Sequence, residues 1–118
     1  MQYNHCLHLF SIMSSPEQLV EQIKLATDYQ INRRILREKI LTDLHFAYNG
    51  GLFKADPAQY TFVIMWQGDP DALFLEDTYG NPIKIDQKEF VKLSTEHYQR
   101  VMNRWHQEHE QLKKIRKI

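Results

Sequence analysis

The chain has one cysteine, four glycines and four prolines in 118 residues, and its fifteen basic and fifteen acidic side chains cancel. Each scarcity removes a class of protein. A single thiol, Cys6, can form no intrachain disulfide, so nothing requires an oxidising compartment. No apolar run approaches the ~18 residues that a membrane-spanning helix needs, and the N-terminus lacks a basic stretch followed by an apolar one. Neither secretion nor a membrane partner is expected, and the cytoplasm is the expected location. Zero net charge supplies no global field for DNA, RNA or an acidic membrane surface. A nucleophile elbow, a phosphate-cradling glycine loop, a dinucleotide fingerprint and a calcium loop are all missing, so the sequence points away from an enzyme and implies no cofactor.

What is present is 42% apolar content, enough for one ordinary core, and the expectation is a single domain over residues 1–118. Charge is unevenly placed. Residues 1–50 carry five charges of each sign, residues 51–87 two basic and six acidic, and residues 88–118 eight basic and four acidic. The acidic middle and basic tail can satisfy each other within one chain or head to tail between copies.

The dominant stretch is residues 87–118, free of Pro and Gly. Val91, Ser94, Tyr98, Val101, Trp105, Glu108, Leu112 and Ile115 step by threes and fours, with Met102 beside them, which predicts one long amphipathic helix. Asp86 can cap its start, and Lys113, Lys114, Arg116 and Lys117 suit its negative C-terminal end. At about 1.5 Å per residue it reaches roughly 45 Å, more than a domain of this size covers, so part of its stripe should project and meet another chain.

Upstream, residues 1–13 mix strand and helix patterns and stay unassigned. Ser15-Pro16-Glu17-Gln18 starts a helix expected over 16–28, with Leu19, Val20, Ile23 and Ala26 on its face. Tyr29-Gln30-Ile31-Asn32 reads as a break, and a second helix is expected over 32–48, striped by Leu36, Ile40, Leu44 and Ala47 and closed by Asn49-Gly50-Gly51 as a C-cap. Leu52-Phe53-Lys54 suits a short extended piece. Residues 57–66 read as helix or strand: the Asp56-Pro57 start favours helix, while Thr61-Phe62-Val63-Ile64 has strand composition. Over 72–86, Leu73-Phe74-Leu75 and Ile83-Lys84-Ile85 flank a Gly-Asn turn, a β-hairpin. The fold class is therefore α+β and mainly helical.

Chemistry-bearing clusters are sparse. His5, Cys6 and His8 sit close together without the second ligand cluster that a closed site needs, and His106 and His109, three apart with Glu110 and His97 nearby, have a weak spacing signal, since His109 falls within the apolar stripe beside Trp105 and Leu112. No metal is implied. Asp69, Asp71, Glu76 and Asp77 read as loop carboxylates. Lys113, Lys114, Arg116 and Lys117 could contact phosphates, although a short basic patch on a neutral chain makes nucleic acid the lesser reading.

From Arg37 to Ile115 the order of features resembles a small bacteriophage domain of unknown function found in tail-fibre and other tail-associated proteins. The residues that carry the likeness are the charged helix before Gly50-Gly51, Phe53 with Ala55-Asp56, Glu76-Asp77, Pro82-Ile83-Lys84-Ile85, Phe90 with Leu93, and the helix closing on Leu112 and Ile115. The chain is also similar in style to small proteins of tailed marine cyanophages. The resemblance implies a structural or assembly part in an infected bacterial cell or a virion, with other phage structural proteins as partners, and supplies no catalytic residue.

The expectation is a non-enzymatic structural or assembly protein that forms homo-oligomers through Tyr98, Val101, Met102, Trp105, Leu112 and Ile115, since aromatic anchors on an apolar stripe dominate interface energetics. The alternative is a nucleic-acid-binding accessory that uses the basic tail.

Overall fold

Asn49-Gly50 sits between His45-Phe46-Ala47-Tyr48 and Gly51-Leu52-Phe53-Lys54, and both turn residues have positive φ, 48° and 82°. That is the backbone of a two-residue hairpin turn, which matches the twist of the strands it joins. The structure, a computed structural model, describes residues 16–116, with side chains as far as Ile115. In chain order it has helix α1 (Pro16–Asp43), strands β1 (His45–Tyr48) and β2 (Gly51–Lys54), helix α2 (Pro57–Ile64), a single 3₁₀ turn (Pro70–Ala72), strands β3 (Phe74–Glu76) and β4 (Pro82–Lys84), and helix α3 (Gln87–Arg116). The strands form two separate antiparallel hairpins, β1 with β2 and β3 with β4.

The α+β, mainly helical class stands, and the N-terminal half needs correction. One helix, α1, occupies the stretch expected to hold two. Tyr29-Gln30-Ile31-Asn32 is polar without breaking anything, because such residues weaken a helix by only a few tenths of a kcal/mol each, and Gln30 lies inside the turn, accepting from Arg33 at 3.4 Å. The helix stops at Asp43, and residues 45–48 are strand β1, so Asn49-Gly50 closes a hairpin rather than capping a helix. Residues 57–64 are helical: the Asp56 carboxylate accepts the Ala58 N–H at 3.0 Å, Pro57 takes the first turn, and these end signals outweigh the β-branched composition. The reading of residues 1–13, the Ser15 cap and the last two residues lie outside the described residues.

Two cores result. In the first, at what can be called the head, Tyr48, Phe53 and Phe90 meet edge to face, with Phe90 5.3 Å from both other rings, and Val63, Leu73 and Ile85 close around them. The second is the stem, where Leu36, Ile40 and Leu44 of α1 pack on Val101 of α3, with Ala55 beneath. The two helices run antiparallel: Asp43 pairs with Arg104, Lys39 reaches Glu108 at 3.9 Å, and Ile35 lies beside Ile115. Residues 16–31 of α1 therefore run past the end of α3, an arm about 24 Å long. The molecule extends 72 × 28 × 18 Å with a radius of gyration of 23.1 Å, against roughly 13–14 Å for a compact domain of its length.

Candidate interaction surfaces

The stripe on α3 is where the sequence placed an interface, and most of it packs within the chain. Val101 is buried, and Tyr98, Met102, Trp105 and Leu112 pack half-buried against the α1 seam; Ile115 alone of the six is exposed, at 59%. The α3 helix does not overrun the core as its length suggested, because α1 is long enough to cover it. The overrun belongs to α1.

Polar contacts fix how the two helices meet. The carbonyl oxygen of Asp43, at the end of α1, can only accept, so His97 Nε2, 2.7 Å away, carries the proton; its Nδ1 then faces Arg100 at 3.4 Å. The Asp43 carboxylate takes the Arg104 guanidinium, and the His97 ring meets Phe46 at a tilt of 42° with centroids 5.7 Å apart. His97 is thus a brace between the helices. His106 is exposed and His109 half-buried, both close enough to add to the Lys113 contact that holds Glu110 below the usual carboxylate range. Among the described residues no three His, Cys, Asp or Glu side chains gather as a metal site; His5, Cys6 and His8 lie outside them.

The acidic loop residues have structural work. Asp69 accepts the Asp71 N–H at 3.0 Å and so caps the 3₁₀ turn, and Asp71 faces Lys84 at 4.0 Å. Buried Asp77 accepts backbone N–H groups from Asn81 at 2.8 Å, Tyr79 at 3.0 Å and Leu52 at 3.1 Å, which ties the β3–β4 turn to β2. The Asn81 bond, with those of Leu52 and Tyr79, holds its carboxyl below the usual carboxylate range against the opposing effect of burial. Gly51 lets the hairpins touch, since a Cβ there would lie 2.8 Å from Ile83 Cγ1.

An open depression of about 630 Å³ lies beside the start of α3, lined by Tyr48, Asn49, Asp71, Lys84, Asp86 and Lys88. Its polar groups answer one another: the Asp86 N–H donates to Tyr48 Oη at 3.0 Å, the Asn49 amide donates to the Lys84 carbonyl at 3.1 Å, and Asp86 Oδ1 accepts the Glu89 N–H as the α3 cap. Burial pushes the Tyr48 hydroxyl above its ordinary range, against the opposing effect of the Asp86 N–H bond. The site organises the helix start and offers no convergent reactive group.

Among the described residues three apolar surfaces are exposed. Along the arm, Leu19, Val20, Ile23 and Ile31 are exposed, Val20 at 65%. At the stem end, Ile35, Leu36, Leu112 and Ile115 line a groove of about 300 Å³ between α1 and α3, with Lys39 and Glu108 at its edge. On the head, α2 turns Val63 inward and leaves Phe62, Ile64 and Met65 facing out, Met65 at 71%, while Gln87 of α3 donates to the Val63 carbonyl at 2.8 Å and the Trp66 carbonyl at 3.1 Å to close the end of α2. The α2 surface went unread in the sequence, although Tyr-Thr-Phe-Val-Ile-Met-Trp holds more apolar bulk than one face of a two-turn helix can bury. In the basic tail, Lys113 pairs with Glu110 at 3.0 Å and Lys114 is exposed; the Arg116 side chain and Lys117 are outside the described residues.

No helix among the described residues is long and apolar enough to cross a membrane. Comparison of the chain with protein-family models, curated proteins and solved structures finds no match.

Proposed function

We propose that this chain is a structural or assembly protein that self-associates through the free end of its stem, in the tail-associated role that the phage resemblance implies. The observation that carries the reading is the arm: a stretch of α1 about 24 Å long continues past α3, its one neighbouring helix among the described residues, with aliphatic side chains exposed along it. An isolated helix of this length is marginal in water, and monomeric proteins rarely leave contiguous apolar surface uncovered. Covering half-exposed Leu, Val and Ile side chains gains on the order of 1 kcal/mol each, and several together begin to offset the entropy lost on association. The C-terminal helix contributes Ile115 and the groove wall at Leu112, so the expected use of α3 narrows to its last turns. Light scattering across a concentration series tests this: the mass should rise above the 14.2 kDa chain mass for the natural sequence and remain at one chain mass for Ile23→Glu with Ile115→Glu. A mass of one chain at every concentration would overturn the reading.

One observation favours a second reading. Arg33, Arg34 and Arg37 of α1 are exposed at the level of the stem where Lys113 and Lys114 lie on α3, so the basic tail does not stand alone. A nucleic-acid accessory would use this end. Binding of labelled DNA or RNA that tightens steeply as salt is lowered, and weakens on Arg34→Glu with Lys114→Glu, would support it; unchanged weak signal at low salt would exclude it.

A further inference from the structure

The outward face of α2 and the groove at the stem end match in shape and charge, and one chain cannot bring them together. The α2 face is convex, with Phe62 and Met65 standing out and the Phe62 ring 6.2 Å from that of Trp66. Carboxylates flank it: Asp56 at the start of α2 with Glu76 near it, and Asp69 just past its end. The stem groove has aliphatic walls of Ile35, Leu36, Leu112 and Ile115 with Asn32, Lys39, Glu108 and Gln111 at its edges, lies at the bottom of the size range of small-molecule sites, and so suits inserted side chains. Lys39 lines it and faces Glu108 at 3.9 Å, and Arg34, Arg37, Lys113 and Lys114, next to the groove residues in sequence, are all exposed, with Lys113 held by Glu110.

Within one molecule these surfaces are held apart. Tyr60 of α2 touches Tyr98 at 6.0 Å and Gln87 closes its other end, so α2 lies along the first turns of α3. Ile115 is about 25 Å further along the same rigid helix. The two faces can meet only between copies.

We propose that a second copy of this chain docks its stem end on the α2 face of the first, head to tail, with Phe62 and Met65 entering the groove formed by Ile35, Leu36, Leu112 and Ile115. This rests on the self-association reading above and names the surface that receives the stem. A second copy is the occupant because the charge match is internal to the sequence: residues 51–87 carry six acids to two bases, residues 88–118 eight bases to four acids, and the whole is neutral. Each copy thus carries both halves of the contact. Such a contact uses two different patches, so it propagates into rows or closes into a ring, and either is the behaviour of an assembly part. The arm would then run alongside the next molecule, covering its aliphatic row.

Two blocked variants test the geometry. Phe62→Ser with Met65→Glu disables the head, and Ile35→Glu with Ile115→Glu disables the stem groove; all four side chains are more than half exposed, and circular dichroism checks that each variant keeps its helix content. Each variant alone should run at 14.2 kDa while the natural sequence runs larger. Mixed in equal amounts, they should form a particle of twice the chain mass and nothing larger, because one intact head meets one intact stem. If the natural sequence associates but the mixture stays at one chain mass, or if the head-blocked variant assembles like the natural sequence, the contact joins like surfaces and the head-to-tail proposal falls while self-association stands. A natural sequence that remains a monomer throughout sinks both.

Discussion

In the head, Phe53, Val63, Ile85 and Phe90 are no more than 1% exposed; along the arm, Val20 and Ile23 are 65% and 58% exposed. Both regions are apolar stretches of one small chain, and the difference lies in what each finds to pack on. The head encloses its side chains on several sides, with two hairpins, α2 and the start of α3 converging on one cluster of rings. Among the described residues the stem holds two helices, so each has the other as its neighbour and a second apolar stripe is left exposed. Leu36, Ile40 and Leu44 use the available neighbour, while Ile31 and Ile35 lie on another side of the same helix. A helix with two apolar stripes and one partner is an unfinished contact, and in this molecule the unfinished part projects from the end.

That contrast can be broken most forcefully in the head. Phe90→Ala removes the ring that touches Phe46, Tyr48 and Phe53, and should lower unfolding stability by about 3–5 kcal/mol, whereas Ile23→Ala on the arm should change the dilute monomer by less than about 0.5 kcal/mol. Urea titration of both variants checks this, and comparable losses would mean the arm is packed.

A smaller effect comes from the clamp between the hairpins. Asp77→Asn replaces a carboxylate that accepts three backbone N–H groups with a side chain that presents an NH₂ to at least one of them. Because the folded carboxyl titrates below its ordinary value of 3.8, its contribution is fully present above that pH and is lost as the pH falls through the lower folded value. The variant should therefore be less stable than the natural protein at pH 7, with the gap narrowing below about pH 4. A gap that widens in acid would show that Asp77 is not the clamp.

Ser94 offers a change of opposite sign. Its hydroxyl is fully buried without a hydrogen-bond partner among the described residues, so Ser94→Ala should stabilise by up to about 1 kcal/mol in thermal unfolding. A clear loss would reveal a bond. Smallest is the stem brace: Arg104 and Asp43 are both substantially exposed, and Arg104→Met should cost about 0.2–1 kcal/mol, less at high salt.

How far the sequence revealed this molecule follows the same division. The α3 helix, the β3–β4 hairpin and the α2 start were legible because capping residues and turn glycines act locally, through bonds to their own neighbours in sequence. The β1–β2 hairpin was missed although Asn49-Gly50 is a strong hairpin turn, because His45-Phe46-Ala47-Tyr48 continues the apolar spacing of α1 and the glycines also suit a helix end. What the six α3 stripe residues face was not legible at all. Periodicity shows that a stripe seeks cover; whether α1 of the same chain or another molecule supplies it depends on how far two helices overlap, and that is set by where α1 ends. The α2 face was hidden for a related reason, since eight residues are too few for periodicity to separate the buried side at Val63 from the exposed side at Phe62 and Met65.

The most direct test of the arm as a contact surface is amide hydrogen exchange on the natural sequence at low and high protein concentration. The account predicts fast exchange from Leu19 to Ile31 in dilute solution, as expected for a helix with its aliphatic side chains exposed, and marked slowing when the chains associate, while amides around Phe53 and Phe90 stay equally protected throughout. Exchange along the arm that is independent of concentration, whether fast or slow, would contradict it.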